Sequence, residues 1–367
     1  MNSKKYLPGL INKLSGIKEA NIPEKIFVGF DGYIDKIQKA VQSRSATEVI
    51  YYSTLTDFSE RIARAAGKSG QVELVTQEIK LGGNAPIMSN ALGHLGIQSV
   101  CLANGGYPVI HPEYKNLHPK VSLLSIGDPA ETNALEFNDG KMILSELSTF
   151  RKINWKYVSS VIGIDTLQEN MDACSILALV GWCNPDHATD VWRGILKNIL
   201  SGSPRKKLLF FDLADPTKKS INDLLEVLEV INQHTPHGPV ILGLNENETL
   251  KLYDILNEGA AANPTDLESI GQRIFYKLSI DGLLIHPTDR SILVQKSGIT
   301  MLEGHVVKEP KISTGGGDNL NAGFCTGYLA GISTEESMIL GMATSGAYVK
   351  NGKSPSIDEI IEYLKTW

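Results

Sequence analysis

The sequence holds few cysteines for its length: Cys101, Cys174, Cys183 and Cys325 among 367 residues, none in a CxxC pair. Scattered thiols in apolar surroundings suit reduced core residues, and they argue against a disulfide framework or a thiolate zinc centre. Long apolar runs are lacking too, and no stretch approaches the roughly 20 residues that span a bilayer. The opening MNSKKYLPGLINKLSG begins with basic residues, but Pro8, Gly9 and Asn12 interrupt its apolar positions, so it does not read as a signal peptide. A soluble cytoplasmic protein is expected, without membrane association. Dense runs of Lys or Arg are also missing, and 35 basic against 41 acidic residues give a formal charge of −6. Nucleic acid is therefore not an expected partner. His94, His111, His118, His187 and His305 show no paired metal spacing and read as surface or structural residues.

What is present is a rhythm. Short apolar runs (KIFVGF, SVCLAN, SILALVGW, KLLFFD, PVILGLN, GLLIH) alternate with amphipathic stretches of helical period, the pattern of a mainly parallel sheet covered by helices on both faces. The 42% hydrophobic content supports a large core, and neither a linker nor an internal repeat divides the chain. A single α/β domain over 1–367 is expected. Two stretches break the rhythm. Residues 36–80 include EVIYYST and QVELVTQEIKL, and 131–145 read ETNALEFNDGKMILS with an Asp139-Gly140 turn. They predict antiparallel additions covering one edge of the sheet.

The C-terminal STGGGDNLNAGF poses the functional question. Three glycines before a helix expose backbone N–H groups at the positive end of the helix dipole, a place for an anion. Asp318 beside them would repel a bound phosphate, unless it serves as the base that deprotonates an attacking hydroxyl while Gly315, Gly316 and Gly317 hold charge on a transferred phosphoryl group. The alternative is an N-cap: aspartate is a favoured capping residue, and glycines often precede helices as plain loop. Other pairs are equally two-sided. Gly82 and Gly83 with Asn84 fit a strand-to-helix turn capped by Asn84, Asn245 and Glu248 fit a capping box, and Asp31 before Gly32 fits an ordinary turn. Ser333 and Glu336 in STEE form another capping box.

The segment TGGGDNLNAGFCTGYLAG resembles the C-terminal signature of the ribokinase (PfkB) family of carbohydrate kinases. LGGNAPIMSNALGHLG, GLNENE and GFDGYIDKI resemble further family segments, in the expected order along nearly the whole chain. The resemblance implies a three-layer ribokinase-like sandwich with a small β lid, formed by segments 36–80 and 105–148. It implies ATP and Mg²⁺ as cofactors, Asp318 as catalytic base and Gly315–Gly317 as anion hole. It further implies that Gly82, Gly83, Asn84, Asp35 and secondarily Asp31 hold a sugar substrate. Asn245 and Glu248 would arrange the phosphates and magnesium, Glu248 through water, and Thr314, His286, Thr288 and Asn351 would serve the nucleotide. Lids of this family often pair, so a homodimer through the lid is an expectation.

The pattern also departs from the family. Ile312 stands where an acidic residue helps hold a monovalent cation, which argues against potassium activation, although NGKSPS resembles the other half of that site. His286 and Thr288 in LLIHPTDRSIL replace the usual Thr-x-Gly. GFDGYID and GGNAPIMSN also resemble ADP-dependent sugar kinases, whereas GGGDNLNAGF leans to the ATP-using branch. Lys218 and Lys219 could face an acidic substrate or be a solvated helix start. The alternatives to a sugar kinase are a nucleoside kinase and a catalytically weak sugar sensor. A dinucleotide oxidoreductase ranks last, because VGFDGYID lacks GxGxxG spacing.

Overall fold

A computed structural model describes residues 3–19, 22–257, 265–312 and 314–367. Its strands in chain order are β1 (Lys25–Gly29), β2 (Tyr33–Arg44), β3 (Val49–Tyr51), β4 (Leu74–Gly82), β5 (Gln98–Ala103), β6 (Val121–Ser125) and β7 (Ala130–Phe137). They continue with β8 (Gly140–Glu146), β9 (Cys174–Leu179), β10 (Leu208–Asp212), β11 (Val240–Leu244), β12 (Gly282–Ile285), β13 (Arg290–Gln295) and β14 (Gly298–Glu303).

Nine strands form the main sheet in the order β14-β13-β12-β11-β10-β9-β1-β5-β6. From β12 to β6 every neighbouring pair is parallel, and β13 and β14 are antiparallel additions. The continuous apolar runs follow from burial on both faces. In β10, Phe211 packs with Trp182, Trp192 and Val227 in one core, while Phe210 joins Met88, Phe324 and Leu340 in the other. Each such buried side chain contributes about 1.5–3 kcal/mol relative to exposure. Helices cover both faces, so the body has three layers, as expected for this fold class. All four cysteines are buried and free.

The smaller sheet runs β3-β2-β7-β8, with β4 on the other flank of β2. It departs from the expectation in three ways. β2 pairs antiparallel with β3 and β4 but parallel with β7. In the 105–148 stretch, β6 belongs to the main sheet and only β7 and β8 join the smaller one. The two-residue turn between them is Asn138-Asp139, and Gly140 already pairs with Phe137. A Cβ at Gly140 would lie 2.8 Å from Leu55 Cδ1, so this glycine serves packing rather than the turn. Among the described residues no helix is long and apolar enough to cross a membrane.

The parallel strands matter because their carboxyl ends share one edge, where the segments after β1, β9, β10, β11 and β12 converge. The smaller sheet projects over that edge.

Candidate active site

The helix Asn84–His94 begins directly after β4, with Gly83 at φ 95 as its N-cap, a conformation open to glycine. Asn84 is the first helical residue rather than the cap. The oxygen that caps the helix comes from elsewhere. Asp31 accepts from the N–H of Asn84 (3.2 Å) and of Ala85 (2.9 Å), and from Asn184 Nδ2 (2.8 Å). Asp31 is fully buried, and desolvation pushes its carboxyl to about 6 in spite of those bonds. The carboxylate thus anchors a helix start, a task beyond the turn that the sequence shows. Gly181 makes room for it, since a Cβ there would lie 2.8 Å from Asp31 Cγ.

Freed from capping, the Asn84 side chain donates from Nδ2 to Asp318 Oδ1 at 2.8 Å. Asp318 is the third residue of helix Gly316–Leu329, whose N-cap is Gly315 at φ 89 with no side-chain cap bond. The N-cap alternative for Asp318 therefore fails. Its carboxyl is buried, and desolvation first, then the charges of Asp212, Asp31 and Glu248, hold it well above the usual carboxylate range against the Asn84 bond. A carboxyl raised in this way could accept a proton near neutral pH.

The glycines answer a second demand. A Cβ on Gly315 would sit 2.8 Å from Tyr348 Oη, and one on Gly316 would meet Val349 at 3.3 Å and Ser345 at 3.4 Å. The bare backbone lets the turn press against the helix Thr334–Asn351. Two cavities divide the run. One, of about 280 Å³, is lined by Thr314, Gly315, Asp318 and Tyr348 from the body and by Tyr33, Asp35, Lys80, Thr132 and Lys141 from the smaller sheet. The other, of about 400 Å³, is lined by Gly316, Gly317, Asn245, His286, Thr288, His305 and Met342.

In the first cavity Thr132 Oγ1 donates to Asp35 Oδ1 at 2.5 Å. Burial raises the Asp35 carboxyl, opposed by that bond and by Lys80 and Lys141. A Cβ on Gly82 would overlap this carboxylate, and Gly83 and Asn84 also border the cavity. Lys218 reaches it as well, donating to Asn184 Oδ1 at 3.3 Å. Lys219 instead lies over Trp182 and donates to Pro185 O.

Of the residues expected at the nucleotide, His286 and Thr288 line the second cavity together with Asn245, and Thr314 and Asn351 do not. Thr314 and Ile312 line the first cavity, and Asn351 is exposed at a helix end beside neither. His286 has an unpartnered Nε2, and burial lowers its ring to about 4. Asn245 and Glu248 do form a reciprocal capping box (2.9 Å each way). The cap does not exhaust Glu248: it is buried, and desolvation together with Asp212 pushes its carboxyl to about 8. Asn321 Nδ2 donates to Asp212 Oδ2 at 2.7 Å, while Asn321 Oδ1 is buried without a partner. Among the described residues no three His, Cys, Asp or Glu side chains are grouped to hold a metal directly. Two mutually repelling carboxylates and an orphan amide oxygen fit a hard cation carrying its own water shell.

A model of the prokaryotic ketohexokinase family matches residues 16–367. The chain belongs to this family. A ketohexokinase of Haloferax volcanii is 26% identical over 342 residues, spanning 92% of this chain and 89% of that protein. The ribokinase of Thermotoga maritima superposes with a TM-score of 0.63 at 16% identity, covering 93% of this chain and 99% of the other. An Escherichia coli protein described as a ribokinase II, solved with ATP and Mg²⁺, gives 0.62 at 12% identity, over 94% and 100%. This member of the prokaryotic ketohexokinase family is a carbohydrate kinase of ribokinase fold, a sugar-phosphorylating enzyme rather than a sensor or an oxidoreductase.

Sequence reasoning missed Asp212, Asn184, Thr132 and Tyr348 and left Lys218 undecided. Asp212 had a usable signal, the last residue of the apolar run KLLFFD and hence at the carboxyl edge of a parallel strand. The others carry no local signal.

Proposed function

We propose that this kinase transfers the γ-phosphoryl group of ATP to a hydroxyl of a ketohexose held in the 280 Å³ cavity. The observation that carries the reading is the buried Asp318, held by Asn84 where the glycine run separates the two cavities. The name of the Haloferax relative supports the acceptor class.

Asp35, Asn84 and Thr132 orient the sugar hydroxyls. Asp318 accepts the proton of the attacking hydroxyl, its raised carboxyl matched to that task. Gly315, Gly316 and Gly317 present backbone amides to the charge that develops in the in-line transfer. Glu248, Asn245 and Asp212 would hold Mg²⁺ through its water shell, and the ion would supply neutralisation of phosphate charge. His286 and Thr288 flank the nucleotide in the second cavity. The whole chain acts as one kinase domain with the smaller sheet as lid. Ile79, Met142 and Leu144, exposed on the lid face turned from the cavity, are the surface for a second copy.

ADP release measured over ketoses, aldoses and nucleosides tests the reading. A ketohexose is expected to give the highest kcat/KM, and no ADP with any sugar refutes it. Asp318→Asn is expected to lower turnover by roughly 10²–10⁴, with nucleotide affinity retained. Full turnover in that variant would remove Asp318 from the role.

A further inference from the structure

An anion hole made of consecutive glycines has a built-in weakness, because each glycine peptide can rotate to present its carbonyl where its N–H is wanted. Two side chains oppose this rotation here. Tyr348 Oη donates to the carbonyl of Thr314 at 3.0 Å, and Asn319 Nδ2 donates to the carbonyl of Gly315 at 2.8 Å. In a trans peptide the C=O and N–H point in opposite directions, so holding each carbonyl also fixes the N–H of the following residue. The Asn319 bond lies within the helix, since the Asn319 N–H reaches the same oxygen at 3.1 Å. The Tyr348 bond is different: it comes from another helix and acts on the peptide that precedes the helix start.

The surroundings hold the phenol in place. Tyr348 is 8% exposed, and its Oη lies 2.8 Å from where a Gly315 Cβ would project. The methyl of Ile87 closes the same spot at 3.3 Å. The hydroxyl thus donates to Thr314 O from a place where the bare Gly315 leaves it space.

We propose that Tyr348 is a positioning residue for phosphoryl transfer: its hydroxyl locks the Thr314–Gly315 peptide so that the Gly315 N–H faces the transferring phosphoryl group. In this role it acts through the peptide plane, as preorganised donors stabilise a transition state without reorganising. The inference rests on the transfer site proposed above.

The test is Tyr348→Phe, which removes one oxygen and keeps the ring. Its kcat is expected to fall about tenfold to a hundredfold, less than the 10²–10³ of losing an anion-hole donor outright. The acceptor KM and the ADP Kd should stay within about twofold. Affinity for ADP with Mg²⁺ and aluminium fluoride, which mimics the phosphoryl in flight, should fall by the same factor as kcat. Gly315→Ala disturbs the same contact from the glycine, its Cβ meeting Tyr348 Oη at 2.8 Å, and it reads the proposal should Tyr348→Phe not fold. In a double-mutant cycle the pair should be no slower than Gly315→Ala alone. Unchanged kcat in Tyr348→Phe, a loss confined to KM or Kd, or independent effects in the cycle would each overturn the inference. A wild-type enzyme that works on a sugar other than a ketohexose alters only the proposed acceptor, and the ratios are then read with that sugar. A wild type that forms no ADP with any acceptor sinks both readings.

Discussion

Glu248 should make the ligand-free enzyme less stable than it could be, and Glu248→Gln should reveal by how much. The carboxyl is 7% exposed at the first turn of helix Glu246–Leu256 and is pushed from 4.5 to about 8, first by burial and then by the charge of Asp212. The folded state therefore keeps a proton that the unfolded chain releases, and stability falls as pH climbs from about 4.5 through 8. Below that window the group costs nothing. From those two values the cost is about 1 kcal/mol at pH 5 and about 3 kcal/mol at pH 7. A glutamine keeps an oxygen for the Asn245 N–H and cannot ionise, so it escapes the cost. Urea denaturation of both proteins at pH 5, 6 and 7, free of Mg²⁺ and nucleotide, should show the stability advantage of Glu248→Gln growing by about 2 kcal/mol over that range. Mg²⁺ with ADP should then narrow the gap, since the bound cation rewards the charged side chain of the wild type. An advantage that stays flat or shrinks with rising pH would refute the reasoning.

Other residues give separate checks. Asp212→Asn removes a charge that raises the Asp318 carboxyl, so the acidic limb of the kcat/KM profile should move to lower pH whatever the height of the curve; a limb that stays in place denies the coupling. Lys218→Met should raise the acceptor KM about tenfold or more, the worth of a charged hydrogen bond, with ADP affinity unchanged by calorimetry. Asp31→Ala leaves two backbone N–H groups and the Asn184 amide without their acceptor and should cost about 3 kcal/mol or more in chemical denaturation.

The apolar runs that predicted strands became β1, β5, β9, β10, β11 and β12, because a strand buried on both faces must be apolar throughout and so announces itself locally. The smaller sheet was legible in existence but not in pairing: whether β2 lies parallel to β7 depends on chain segments that no local pattern links. The site divides along the same line. Asp318, Asp35 and Asn84 were reachable because their neighbours form a recognisable string. The bonds of Asp31 were not legible, since a carboxylate that caps a helix more than fifty residues away looks like any turn aspartate. The cavity that Thr314 lines was not legible, because one residue of the glycine run decides which cavity a side chain faces. Tyr348 and Thr132 act through single hydrogen bonds across elements, which leave no periodicity behind.

The first turn of helix Gly316–Leu329 serves as a thin wall between two chambers, with Thr314 and Gly315 on one side and Gly316 and Gly317 on the other. Under the function proposed above, donor and acceptor would meet across this partition. A molecule joining a sugar to an adenosine polyphosphate would therefore have to thread past the glycines rather than bridge an open cleft. A Cβ on Gly315 would press on Tyr348 Oη at 2.8 Å, whereas one on Gly317 would meet only His286 at 3.5 Å, so the wall tolerates growth unevenly.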